Sequence, residues 1–295
     1  MSDFRVDKVT SRDGSAGPHI TGVTTFTGTH GINIPSGTSG NRGGPINISS
    51  GGLVFYVDGM QSRLGDVSVH PHIINDLSPT GITGDNVGGL YNDDAAGSFV
   101  FDGSNDYATF DFDYNLDSFT AACWVKLDDN TAVETCFSYG ESRVVDKNPF
   151  ILRVQHKGMQ FWYESDDDED FRIASAGVGG GSDTDDRGVG ISTSEISTGT
   201  WTFLAAQWDN DPMYQKFHMG TSAYNNLYSN SKTRRKRPCS VKGDGRLMLG
   251  ARENQGGSIQ DYWGGEVGMA CIYDFCLNDT QLTQLYNDTK TRFGY

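Results

Sequence analysis

Basic residues, proline, cysteine and long apolar runs are all scarce in this sequence. Lys and Arg number 23 against 38 Asp and Glu, a formal charge of −15. A surface so acidic repels phosphate, so general binding to nucleic acid or to anionic membranes is excluded. No run approaches the ~18 apolar residues of a membrane span. The opening MSDFRVDKVTSRDG is charged and has no apolar signal core. If the protein works outside a cell, it is expected to leave by a route such as lysis. The cysteines, Cys123, Cys136, Cys239, Cys271 and Cys276, are odd in number and form no Cys-x-x-Cys pair. That argues against a disulfide framework and for reduced thiols, with Cys123 and Cys271 lying in apolar runs as small hydrophobes. The histidines show no zinc-type grouping with cysteine, and His70-Pro71-His72 reads as a surface loop.

What is abundant is glycine, 38 residues against 8 proline, with 12% aromatics. With few helical patterns, that balance points to many strands joined by turns. The segment Phe101–Leu127 is the centre of the pattern. Asp102-Gly103-Ser104-Asn105-Asp106 is a turn. Tyr107 and Thr109, then Phe110, Phe112 and Tyr114, alternate with a one-residue slip of the kind a bulge makes. From Phe119 to Leu127 the odd positions form one apolar side and Thr120, Ala122, Trp124 and Lys126 the other. A tryptophan on the second side predicts a strand covered on both faces.

Elsewhere, 53–59 reads as a buried strand and 59–98 as loop-rich. Residues 149–155 and 159–163 form a hairpin across His156-Lys157-Gly158. A long polar segment, 174–200, contains an exposed loop. Trp201–Trp208 and Gly265–Tyr273 are strands, the latter with Val267, Met269, Cys271 and Tyr273 alternating. Residues 217–228 make a further hairpin arm. Asn278-Asp279-Thr280-Gln281 has the form of a capping box opening a short helix, with Leu282, Leu285 and Tyr286 on one face. The expectation is an all-β fold: an antiparallel two-sheet jelly-roll sandwich over 51–295, with a short C-terminal helix. Residues 1–50 have only scattered apolar side chains and cannot build a core. They read as an extended arm ordered by a partner, with Ile20, Val23, Phe26, Ile32 and Ile34 as its docking residues.

Three stretches in order carry a family resemblance. FDGSNDYATF followed by SFTAACWVKL, then GTWTFLAAQWD at 199–209, then the closing strands and terminal helix resemble laminin-G-like domains of the concanavalin A-like lectin/glucanase fold. The leader PHITGVTTFTGTHGINIPSGTSGNRGGP resembles the N-terminal segments of marine tailed-phage structural proteins, notably those of cyanophages. Its matching positions are Pro18, Ile20, Gly22, Val23, Thr25 and Phe26, then Ile34, Pro35, Gly37, Thr38 and Arg42. Together the two resemblances imply a non-enzymatic virion component, assembled in the host cytoplasm. It would join other virion proteins through the arm, form a homo-oligomer and adhere to cell-surface glycan.

The candidate chemistry is sparse. Glu164-Ser165-Asp166-Asp167-Asp168-Glu169 fits the Glu-x-Asp-x-x-Glu array of laminarinase-type glycosidases, which share this fold and use two carboxyls. That hydrolase is the alternative function. The apolar spacers such a strand needs are absent, and the run reads as a solvated acidic loop. Asp209 and Asp211, with Asp102 or Asp106 nearby, could offer oxygens to calcium; no cofactor is required. Trp162-Tyr163 and Tyr262-Trp263 are the loop aromatics suited to stacking on a sugar, whereas Trp124, Trp201 and Trp208 belong to the core. The basic run 232–237 would meet an acidic patch on an adjacent subunit.

Overall fold

The computed structural model describes residues 52–60, 62, 72–92, 97–129, 131–142, 150–155, 158–164, 170–174, 187–190, 196–211, 214–220, 228–233 and 245–295. Alternating side chains along these residues produce two large sheets, as the period-two pattern requires.

The first sheet runs in the spatial order β16 (Tyr228–Thr233), β15 (Tyr214–Gly220), β14 (Trp201–Asp209), β7 (Phe119–Leu127), β20 (Gly264–Tyr273), β5 (Ser98–Asp102), β4 (Leu90–Asn92). β1 (Leu53–Asp58) pairs with the second half of β20. The second sheet runs β13 (Arg187–Gly190), β12 (Asp170–Ala174), β11 (Gly158–Glu164), β10 (Phe150–Gln155), β8 (Glu134–Tyr139), β17 (Leu247–Leu249), β6 (Tyr107–Phe110), β3 (Thr83–Val87), β2 (Ile73–Asn75). A small third sheet joins β19 (Ser258–Gln260), β18 (Arg252–Asn254) and β9 (Glu141–Ser142). Pairing is antiparallel except at β12–β13 and β18–β9. The region 59–98, expected to be loop, therefore supplies three short strands besides the start of β5.

The core between the two large sheets takes Phe119, Ala121, Cys123, Val125 and Leu127 from β7. A second core lies on the outer face of the first sheet, where Ala122 and Trp124 meet helix α1 (Asp279–Lys290). The strand is thus covered on both faces, as its tryptophan foretold. Asn278 caps α1 with the full reciprocal box to Gln281, and Leu282, Leu285 and Tyr286 are its buried face. The Trp124 ring lies 4.6 Å from Phe293 and 5.7 Å from Tyr286, and its Nε1–H donates to Thr289 Oγ1 at 2.8 Å.

Two expected patterns are corrected. No register shift interrupts β6, which ends at Phe110: Ala108, Phe110 and, past a tight turn, Phe112 face the core and Tyr107 and Thr109 face outward, so the apparent slip came from the small size of the inward Ala108. In β20 the register shifts between Val267 and Met269. Val267 therefore enters the inter-sheet core, while Met269, Cys271 and Tyr273 enter the core under the helix. Cys123, Cys136 and Cys271 are buried free thiols. Among the described residues no helix is long and apolar enough to cross a membrane.

Candidate functional site

Register fixes what the outer face of the second sheet presents. Ile73, Asp85, Thr109, Met248, Ser138, Ile151 and Trp162 are successive cross-strand partners over seven strands. Partners in an antiparallel ladder share a face, so these side chains form one file ~29 Å long at ~4.8 Å per strand. The middle of the file is closed. Met248, Ser138, Ile151 and Trp162 are all buried. Ser138 Oγ donates to Ala251 O at 2.9 Å, and the Arg252 guanidinium stands 5.5 Å from the Trp162 ring centre. The start of β18 therefore lies across this face.

Polar groups in the closed part are committed to one another. Arg153 stacks 4.6 Å from the Trp162 ring and donates to Gln160 Oε1 at 3.2 Å and Gln155 Oε1 at 2.8 Å. Arg252 Nε donates to Asp261 Oδ2 at 2.5 Å. Glu141 Oε1 accepts from the Gly256 and Gly257 N–H groups, tying β9 to the turn between β18 and β19.

At the β3–β6–β17 end the face is open. A cleft of about 210 Å³ is lined by Thr83, Asp85, Thr109, Phe110, Asp111 and Arg246. Asp85 and Asp111 are exposed. Arg246 is placed by a close backbone crossing: a Cβ on Gly245 would lie 2.5 Å from Gly140 Cα, and the Gly140 N–H donates to Arg246 O at 3.2 Å. Glu253 holds the Arg246 N–H at 3.1 Å and faces its Nε at 3.7 Å. None of the cleft residues belonged to the expected site. The sequence signal is a Thr-x-Asp triplet at 83–85 and again at 109–111, a pattern that also occurs at 184–186 and so does not single the cleft out.

The expected site residues are placed as follows. Trp162 lies within β11, the second arm of the expected hairpin, but it is buried under two arginines; Tyr163 follows it on that strand. Trp263 is wholly buried in the inter-sheet core, so it offers no face to a ligand. Tyr262 is half-buried with its ring 6.4 Å from that of Tyr107. Asp209 Oδ1 accepts from Ser118 Oγ and from the Asp211 N–H, both at 3.2 Å. The Asp102 carboxylate accepts from the Ser104 and Asn105 N–H groups at 2.8 and 3.2 Å, which hold it below the usual carboxylate range. Burial, with Asp102 beside it, pushes Asp106 up. Glu134, which accepts from the Gly264 N–H at 2.8 Å, is raised by burial and then by Asp129 and Asp128. Among the described residues no three His, Cys, Asp or Glu side chains are grouped to hold a metal ion. β11 ends at Glu164 and β12 begins at Asp170, its register partner, so the acidic array is not carried on one described strand. Lys232 belongs to β16. Residues 165–169 and 234–237, and the arm residues Ile20, Val23, Phe26, Ile32 and Ile34, lie outside the described residues.

A family model described as Laminin_G_3, concanavalin A-like lectin/glucanases superfamily, matches residues 102–283. The strands before residue 102 complete the same two sheets. Among solved structures, domain 4 of AbnA, a GH43 extracellular arabinanase from Geobacillus stearothermophilus in complex with arabinotriose, superposes with a TM-score of 0.54 at 18% identity, over 79% of this chain and 97% of that one. The botulinum neurotoxin serotype D binding domain gives 0.55 at 10% identity, over 81% and 52%. The binding domain of Paraclostridial Mosquitocidal Protein 1 gives 0.53 at 12%, over 80% and 52%. The chain thus spans about half of each toxin domain, and at these identities the likeness is one of fold. No curated protein sequence matches it.

Proposed function

The chain belongs to the concanavalin A-like lectin/glucanase superfamily through its Laminin_G_3 domain, and from that premise we propose that it is a non-enzymatic adhesion protein whose sandwich binds glycan. The observation that carries this reading is the closure of the second sheet's outer face by the start of β18. A hydrolase acting within a polysaccharide needs a continuous groove along which the polymer lies on both sides of the bond. Here the open part of the face is a short polar cleft, and Glu164 stands at a strand end opposite Asp170. The reading requires no cofactor. The arabinotriose complex of the similarly folded arabinanase domain supports an oligosaccharide as the class of ligand.

The leader's resemblance supports a place on a tailed-phage virion, with residues 1–50 joining the particle and the sandwich displayed as fibre, decoration or neck or baseplate appendage. Deleting residues 1–50 should leave a soluble folded domain that no longer enters particles. The sandwich should retain glycans on an array and release no reducing sugar from β-glucan or envelope polysaccharide. Sugar release that disappears in Glu164→Gln would replace adhesion by hydrolysis, and particles that take up the truncated chain would remove the arm's role.

A further inference from the structure

We propose that the cleft between β3, β6 and β17 is the glycan site, and that it takes a single uncharged sugar ring. This rests on the adhesion reading. The first argument is arrangement. Thr83-Gly84-Asp85 and Thr109-Phe110-Asp111 run antiparallel, with Asp85 directly opposite Thr109 and Gly84 opposite Phe110. One step further, Thr83 and Asp111 line the same cleft. The Asp85–Thr109 rung thus offers one carboxylate and one hydroxyl, and just past the end of β6 Asp111 and Thr83 add a second of each to the same cleft. Vicinal hydroxyls of a pyranose are donors and acceptors spaced to meet such alternating groups.

The second argument is availability. Among the described residues the side chains of Thr83, Asp85, Thr109 and Asp111 have no hydrogen-bond partner. The closed part of the same face has spent its Arg153, Gln160, Ser138 and Arg252 on internal bonds. Arg246 adds a donor, 48% exposed and only loosely opposed by Glu253 at 3.7 Å.

The third argument is charge and size. Two carboxylates with one guanidinium already facing a glutamate, in a chain of net charge −15, disfavour sialylated or uronate ligands. Carboxylates instead accept charge-assisted bonds from sugar hydroxyls. At about 210 Å³ the cleft falls below the ~300–1,000 Å³ of larger ligand sites, which suits one ring with its neighbours left in solvent.

The test is the full chain on an array of glycans ending in galactose, glucose or mannose and of sialylated and uronate glycans, with and without a chelator. Neutral glycans should be retained in the presence of the chelator. Asp85→Ala and Asp111→Ala should each weaken that binding by about tenfold or more, the scale of one charge-assisted bond. Both residues are exposed, so thermal melts of the variants should match the parent. Neutral-glycan binding unchanged in both variants would move the site elsewhere and leave adhesion standing. Preference for acidic glycans, or loss of binding to the chelator, would overturn the chemistry assigned to the cleft. Binding to no glycan would remove both the site and the adhesion reading.

Discussion

Acid should weaken this fold through one histidine. His218 lies on β15 beneath the start of α1, 3% exposed. Its Nε2 meets Gln207 Oε1 at 2.9 Å. Gln207 Nε2 donates to Thr120 Oγ1 and Leu277 O, and the Leu277 N–H donates to Thr120 Oγ1. Gln207 thus offers its oxygen to an imidazole N–H and leaves the ring neutral. Burial first, then the Lys216 charge, pushes the His218 pKa down to about 3, with Asp279 opposing. The unfolded chain takes up the proton near pH 6.5 and the folded chain does not until about 3, so stability is complete above 6.5 and falls as pH drops through that window. At pH 5 the loss is about 2 kcal/mol, and at pH 3 it is about 4 kcal/mol. His218→Gln keeps an N–H for Gln207 and removes the titration. Urea unfolding followed by tryptophan fluorescence at pH 7.5 and pH 5 should show the parent losing about 2 kcal/mol more than the variant, other groups cancelling in the difference. An equal loss in both proteins would refute the assignment.

Two further perturbations probe the C-terminal clasp. Asp58, 1% exposed, accepts from the Tyr56 hydroxyl at 2.9 Å and pairs with Arg292. Arg292→Ala strands that carboxylate and should cost about 3–5 kcal/mol; a change below about 1 kcal/mol in urea unfolding would mean that water reaches Asp58. Trp124→Ala empties the stack against Phe293 and Tyr286 and should cost about 3–5 kcal/mol, with near-ultraviolet dichroism reporting the loosened helix and a small effect counting against the second core.

The fold was legible where local pattern and global packing agree. In β7 both faces are apolar, so the strand and its double cover could be read from alternation alone. The helix was legible from its cap. Legibility failed where size or a bulge broke the link between side chain and face. Ala108 is inward yet weakly apolar, and Tyr107 is outward yet aromatic, which mimicked a slip. In β20 the extra residue Gly268 reverses the face, and it must be glycine because a Cβ there would lie 2.3 Å from the Phe293 ring. Trp162 and Trp263 were misjudged as exposed because polar or glycine neighbours follow them, whereas Arg153 and Arg252 bury the one and the inter-sheet core the other.

The site was hardly legible, for a reason that belongs to sheets. Asp85, Thr109 and Arg246 lie on segments far apart in sequence, and only register brings them level. Thr-x-Asp occurs three times in the sequence, at 83–85, 109–111 and 184–186, and antiparallel pairing sets Asp85 of the first level with Thr109 of the second. The rest of the architecture then isolates that corner. α1 occupies the outer face of the first sheet. The start of β18 and its arginine occupy the centre of the second. Each cover satisfies polar groups that would otherwise compete for a ligand, so the free acceptors concentrate where the cover stops. The short third sheet therefore does two things at once: its first strand covers Ser138 and Trp162 on that face, and through Glu253 it holds Arg246 at the cleft's edge.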